Sequence, residues 1–206
     1  MEILDMVQDR STNDSVHYQS CPHIGARLRS IEGIVLMEYL LDRPAPCCNP
    51  ADGLLLAEHF QMAYVTNDGE QARHLFGSHL GIRQFSRLEG PLKAGGYIQA
   101  EFAWVGSIMY EIICASGPGS EIYMDRLSQG DGFALKHHHL GYLLHSRAQW
   151  DAMTAKASAR GWAIPYHSIN PLVEVCFVDA TQLGHYLEYF LPKQAGLDFF
   201  NRVPRS

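Results

Sequence analysis

Apolar and polar positions along the chain repeat one order of strand and helix patterns twice. Residues 60–66 alternate and are rich in strand formers, and the run stops at the turn residues Asn67-Asp68-Gly69. Asp68 is placed to cap a helix over residues 70–80, where Ala72, Leu75, Phe76 and Leu80 share one face and Gly81 follows. Three strands are predicted next, near 81–88, 95–106 and 107–115. Residues 136–146 then begin the same series: a strand, a helix over 147–160 ended by Gly161, and strands near 162–169, 172–180 and 183–191. The Gly- and Ser-rich segment between the copies reads as a crossover connection. Upstream, Leu28, Ile31, Ile34, Val35 and Tyr39 recur at helical spacing and predict one helix over Ala26–Asp42, stopping before Pro44 and Pro46. Residues 1–20 are polar and expected to be loosely ordered.

These patterns divide the chain into an N-terminal extension with one helix (1–56), a first βαβββ module (57–116), a linker (117–136), a second βαβββ module (137–192) and a C-terminal tail (193–206). The expected fold class is α+β: two tandem βαβββ modules forming a cup-shaped mixed sheet, with helices outside and an N-terminal helical extension. One module alone would expose a face of its sheet, whereas two together leave a shared concavity suited to a ligand.

The duplication supplies a register. Gln61 lies seven residues before Asp68, and His139 seven before Ser146; in the last strand of each copy a lone Glu, Glu111 and Glu188, sits among aromatic and aliphatic neighbours. The two pairs are separated by 78 and 77 residues, so they agree on the register to one residue. Alternation puts Gln61 on one face with Ala63 and Val65, and His139 with Gly141 and Leu143. Small residues beside the polar ones leave room there. A carboxylate among Met109, Ile112 and Ile113 is costly to bury unless a cation or metal compensates it. Two carboxylates, one imidazole and one amide oxygen form a hard N/O donor set suited to a divalent Zn, Ni, Co, Fe or Mn ion. His137 and His138 do not keep the seven-residue spacing and are expected on the surface or behind the site. His167 and His185 are candidates for an acid/base pair, with a structural role the more frequent one for such residues.

Composition narrows the function classes. A net charge of −6 with scattered Lys and Arg argues against a nucleic-acid surface or a polybasic membrane contact. No apolar run approaches the ~20 residues of a membrane span, and the acidic start lacks the pattern of a signal peptide. The five cysteines (Cys21, Cys47, Cys48, Cys114, Cys176) form no C-x-x-C pair and no disulfide framework, which suits a reducing cytoplasmic setting.

Residues 60–82 resemble the opening unit of glyoxalase-type modules, and residues 131–146 resemble the corresponding junction and strand of methylmalonyl-CoA epimerase and glyoxalase I. The sequence thus resembles the glyoxalase/bleomycin resistance/dioxygenase (vicinal oxygen chelate) superfamily over about residues 59–192. The resemblance implies metal ligands from the first and last strands of each module: Gln61, Glu111, His139 and Glu188. That combination is similar to the zinc-dependent eukaryotic type of glyoxalase I. It implies Glu188 as the catalytic base, with Glu111 the alternative.

The chain departs from that pattern at Val65, where glyoxalase I has an Arg for a glutathione carboxylate, and at Ala115, where it has an Asn. Together with Tyr186, Phe190 and His167 as pocket residues, this implies a small, non-glutathione and more apolar substrate. The leading expectation is a metal-dependent isomerase, epimerase or lyase that removes a proton next to a carbonyl. A metal-free sequestering protein of the same fold is the alternative. A ring-cleaving dioxygenase is disfavoured, since Gln61 stands where it needs a first His. Partners are expected to be a small molecule and, if the modules also pair between chains, a second copy.

Overall fold

The computed structural model describes the backbone of residues 18–21, 26–31 and 34–39, and the chain from 48 to 206 apart from 128, 129 and 131. The chain divides into two compact units, 1–45 and 46–206. Residues 1–17, Cys47 and the end of the expected N-terminal helix lie outside the described residues.

The described part of the first unit is an antiparallel sheet of β1 (Tyr18–Cys21), β2 (Ala26–Ile31) and β3 (Ile34–Tyr39), in the order β1-β2-β3. The helix expected over Ala26–Asp42 is therefore corrected to two strands, with Ile31 opposite Ile34 and Ala26 opposite Tyr39. The spacing of Ile31, Ile34 and Val35 fits a helical face, but β-branched side chains favour strands. Gly33 in mid-helix would also cost about 1 kcal/mol, and Ala26-Arg27-Leu28-Arg29 alternates with period two.

In the second unit one order of elements occurs twice. Module one is β4 (Glu58–Thr66), α1 (Gly69–Leu80), β5 (Ser86–Pro91), β6 (Tyr97–Val105) and β7 (Ile108–Ser116). A short helix, α2 (Glu121–Met124), lies in the crossover. Module two is β8 (Leu135–Leu143), α3 (Arg147–Ala159), β9 (Tyr166–Ile169), β10 (Val173–Ala180) and β11 (His185–Pro192), and α4 (Gln194–Phe200) follows. One eight-stranded sheet has the order β5-β6-β7-β4-β8-β11-β10-β9. Each half reads the same from its edge inward, and the halves join where β4 and β8 pair antiparallel. Within each module the first strand pairs parallel with the last, β4 with β7 and β8 with β11. Among the described residues, no helix is long and apolar enough to cross a membrane.

Matching caps hold the two long helices. The Asp68 carboxylate accepts from the Gln71 amide at 2.9 Å, and Ser146 Oγ accepts from the Gln149 amide at 3.2 Å. Both helices pack on the outer face of the sheet. Ala72 and Phe76 of α1 meet Ala103 and Ile112, while Trp150, Met153 and Ala157 of α3 meet Cys176, Val178, Leu187 and Tyr189. Residues before β4 also join this layer: Leu54 is buried there and its carbonyl accepts from the Tyr189 hydroxyl.

The inner face carries the third apolar cluster, which two connecting segments close at opposite ends. At the C-terminal end of β4, α2 packs on β4 and β7, and Tyr123 and Leu127 join a cluster with Val65 and Ala115. At the N-terminal end, the segment expected to be a tail forms α4 instead. Phe200 packs edge-on to Phe102 and Phe190, with ring centroids 5.4 and 5.2 Å apart. The tail then crosses to module one, where Trp104 Nε1 donates to the Phe200 carbonyl and the Trp104 amide donates to Pro204.

Candidate functional site

Strand register brings the four matched residues to the centre of the inner face. Gln61 lies opposite Gly141, and Ala63 opposite His139, across the β4–β8 junction. Glu111 is the partner of Ala63 on β7, and Glu188 the partner of Gly141 on β11. The four polar side chains therefore gather about the β4–β8 junction, each next to a small residue. All four are buried, with Gln61 and His139 at 2% and 1% exposure and both glutamates at 7%.

Gln61 Nε2 donates to Glu111 Oε2 at 2.8 Å. His139 Nε2 stands 3.3 Å from Glu111 Oε2 and 3.3 Å from Glu188 Oε2, a counterion between two carboxylates. Gln61 Oε1, His139 Nε2 and Glu188 Oε2 have no hydrogen-bond partner. The absence of a side chain at Gly141 permits this approach, since a Cβ there would lie 2.6 Å from Gln61 Oε1 and 3.3 Å from Glu188 Oε2.

His138 takes part in a way the sequence spacing did not reveal. The register between β4 and β8 shifts so that Ala63 faces His139 while Tyr64 faces His137, leaving His138 as the extra residue of a bulge. The bulge turns His138 and His139 to the same side, with their Nδ1 atoms 2.8 Å apart. His138 Nε2 lies 2.9 Å from the Ile122 carbonyl in α2. A carbonyl only accepts, so His138 Nε2 carries the proton and its Nδ1 is the acceptor. His139 Nδ1 must then donate, which directs His139 Nε2 at the carboxylates.

The electrostatics follow from these contacts. Burial, with His139 beside it, lowers His138 to about 3, so it is neutral. Burial opposes the charge on His139 as well, but the Glu188 carboxylate and Glu111 next to it push that imidazole up to about 9. Burial raises Glu111, and His139 offsets part of that rise. Tyr123, buried on α2, is held well above the usual phenol range, chiefly by burial.

Four glutamates are buried among the described residues, and the other two differ from this pair. Glu101 accepts from Arg73, Arg87 and Gln99 on the outer face, and Glu174 pairs with Arg147 and His167. Glu111 and Glu188 have no Arg or Lys partner among the described ion pairs and share one imidazole. One cation for two carboxylates leaves a negative charge in an apolar surround, which a divalent ion would neutralise with His139 in its neutral form. The donor set and its three unpartnered atoms thus fit a hard divalent cation chemically. In the rotamers present, however, no three His, Cys, Asp or Glu side chains among the described residues are gathered in metal-ligand geometry.

Above this floor lies a cavity of about 790 Å³ bounded by β5 and the β5–β6 loop on one side and by β9 with its flanking loops on the other. Gln61, Glu111, Glu188 and Phe190 line it. Val65 does not: it is fully buried within the cluster that includes Tyr123 and Leu127 of the crossover. Tyr186 also stands outside the cavity, stacked on Phe177 with the Arg126 guanidinium 3.7 Å over its ring. His167 reaches the cavity rim through its edge strand, but its ring packs on Trp150 and its Nε2 pairs with Glu174 at 3.1 Å. His185 packs on His137, with ring centroids 5.2 Å apart. Neither histidine has a hydrogen bond or ion pair to the floor residues, and the two do not form a pair. Ala115 is buried in the same cluster as Val65, so these two positions mark an end of the cup closed by the chain itself.

No family model matches the sequence, and no curated protein matches it. Among solved structures, the chain is similar to a selenomethionine form of methylmalonyl-CoA epimerase, with 16% identity, a TM-score of 0.45 and coverage of 66% of this chain and 95% of that one. It is similar to methylmalonyl-CoA epimerase from Mycobacterium tuberculosis at 14% identity and TM-score 0.47, covering 66% and 87%. A variant of the Streptomyces coelicolor epimerase, in complex with 2-nitronate-propionyl-CoA, matches at 12% identity and TM-score 0.49, covering 68% and 96%. The fold is thus α+β, with two tandem βαβββ modules joined through their first strands and the last strand of each laid parallel to the first.

Proposed function

We propose that the chain is a metal-dependent isomerase, epimerase or lyase that removes a proton next to a carbonyl of a small, non-glutathione substrate. The observation that carries this reading is the convergence of Gln61, Glu111, His139 and Glu188, three of them with unpartnered buried atoms, where Gln61, Glu111 and Glu188 line a cavity and His139 lies behind the two carboxylates. Those four residues would hold a divalent ion. Bound there, the ion would polarise the carbonyl and stabilise the charge that grows on its oxygen.

The chain's own groups supply the rest. Glu188 takes the proton at Oε2, which no hydrogen bond occupies, and returns it to the same or the neighbouring carbon. Glu111 is the alternative base, although Gln61 Nε2 already donates to its Oε2. Gln61 holds Glu111 in place, and His138 orients His139. Tyr123, which lines the cavity with its phenol kept protonated, offers a hydrogen bond to a substrate oxygen. Apolar walls exclude water from the reacting carbon.

The test is to strip the purified protein, restore Zn, Ni, Co, Fe or Mn singly, and follow solvent deuterium entering α-hydroxyketones and acyl thioesters. Exchange with at least one metal is expected, with loss of both metal and exchange in the Glu111→Gln, Glu188→Gln double variant. Absence of bound metal by elemental analysis, together with no exchange under any metal, would overturn the reading. A second reading, a metal-free binding protein, draws on His139 serving as the counterion of both carboxylates. It requires the double variant to keep its ligand affinity.

A further inference from the structure

We infer that the cup is built for an uncharged substrate with a substantial apolar body and excludes substrates carried on polyanionic groups. The inference rests on the reading of the Gln61–Glu188 floor as the reacting end. The cavity is within the range of small-molecule pockets, about 300–1,000 Å³. Above the floor, hydrocarbon makes up the larger part of the wall: Ile98 and Phe102 from module one, Val175 and Phe190 from module two, and Phe200 from α4. Tyr123, Tyr166, Ser168 and Asn170 add polar atoms. The aromatic rings interlock, Phe200 meeting both Phe102 and Phe190. The wall is therefore held in shape before any ligand arrives.

The charges around the cavity point the same way. Among the described residues, Lys93, exposed on the β5–β6 loop, is the one lysine or arginine in the lining, and Glu89 and Glu121 stand in the lining with it. A nucleotide or peptide carrier brings several negative charges that need guanidinium or ammonium partners, or clustered backbone amides. Among the described residues, Arg87 lies 3.9 Å from Glu89 and Lys193 Nζ donates to the Asn170 carbonyl, so the rim holds single, separated cations rather than the cluster such a carrier needs. Such a carrier would be incompletely paired at the mouth and unpaired inside, next to the floor carboxylates. A neutral carbonyl compound with an alkyl or aryl body incurs neither penalty, and it covers the Ile98–Phe102–Val175 surface.

The experiment measures equilibrium binding to the full chain, metal-loaded and metal-stripped, by displacement of a neutral, environment-sensitive apolar dye. The ligands are unbranched and aryl-substituted α-hydroxyketones of increasing length, compared with glutathione and CoA thioesters carrying the same acyl groups. Affinity should rise up to about fourfold per added CH2 until the cup is filled. The thioesters should bind at least tenfold more weakly than the free neutral compounds at low salt. Lys93→Ala should change the affinity for neutral ligands less than twofold, and Ile98→Asn, at a half-buried position, should weaken the longer ligands about tenfold with an unchanged circular dichroism spectrum.

Affinity independent of chain length would overturn the inference, as would thioesters that bind more tightly than the neutral compounds and lose tenfold in Lys93→Ala. Because no turnover is read, the two readings fail separately. A length-dependent preference with neither bound metal nor deuterium exchange under any metal sinks the enzymic reading and supports the ligand class, whereas exchange with a preference for thioesters sinks the ligand class alone.

Discussion

Replacing Gly141 with alanine is the sharpest perturbation of the floor. The added Cβ would lie 2.7 Å from Gln61 Cβ, 2.6 Å from Gln61 Oε1 and 3.3 Å from Glu188 Oε2, where apolar atoms normally rest about 3.5–4.0 Å apart. The amide oxygen can swing away, but Gln61 Cβ is fixed to β4, and Gln61 is the direct partner of Gly141 across the junction. Relief therefore requires the two central strands to shift. Overpacking of this kind costs about 1–3 kcal/mol. At ~2–4 °C per kcal/mol for a chain of this size, Tm should fall by about 2–12 °C. The same displacement moves Gln61 and Glu188, so affinity for the best-bound metal should fall about tenfold or more. The matched control is Ala63→Gly at the equivalent position of module one. It removes a methyl group without a clash, should destabilise by about 0.5–1 kcal/mol beyond the small loss of packing, and should leave the metal affinity near that of the parent. Thermal unfolding followed by circular dichroism and competition with a chromophoric chelator read the two quantities. An alanine variant with both Tm and metal affinity unchanged would refute the tight convergence on which the site rests.

Other substitutions probe the surrounding parts. His138→Phe leaves the Ile122 carbonyl and the His139 Nδ1–H without their partners, so it should cost about 1–3 kcal/mol per buried group and weaken metal binding ~10–100-fold by chelator competition; His137→Phe should do neither. His139 is raised to about 9 in the folded protein from 6.5. Its contribution is complete below pH ~6.5 and is lost as pH rises through ~9, so the metal-free protein should unfold at progressively lower urea across that window. His139→Gln should flatten that slope. Loading metal at pH 7 should displace the same proton, so an indicator dye should register release of about one per site. Asp68→Ala removes the α1 cap and should cost about 0.5–2 kcal/mol in urea unfolding, with apolar ligand binding unchanged.

Much of the candidate site could be read from the sequence because the repeated order of elements acts as an internal ruler. Gln61 and His139 hold equivalent places because Asp68 and Ser146, seven residues on, cap the two equivalent helices. Glu111 and Glu188 face equivalent small residues, Ala63 and Gly141, for the same reason. Alternation with period two then fixes which face each side chain takes. Where no second copy supplied a check, the pattern misled. Ile31 and Ile34 satisfy a helical face and a strand pair equally well, and β2 and β3 formed instead of the helix. Val65 and Ala115 have the right alternation for the cup, yet they are buried under a segment that looked like a plain linker.

The sequence by itself therefore determined the two modules, their caps and the four polar residues on the inner face, because these depend on periodicity and on one-residue register within a strand. Tertiary structure decided what surrounds them. The bulge at His138 arises from the pairing of β4 with β8, a contact between residues more than 70 positions apart that no local pattern encodes. The Ile122 carbonyl that fixes the imidazole tautomer, and the Phe200 ring that completes the wall, come from connecting segments whose sequences specify turns and caps but not the surface on which they land. Local periodicity sets the direction in which a side chain points. Only packing sets what it meets, because burial and pairing energies are summed over neighbours that are distant along the chain.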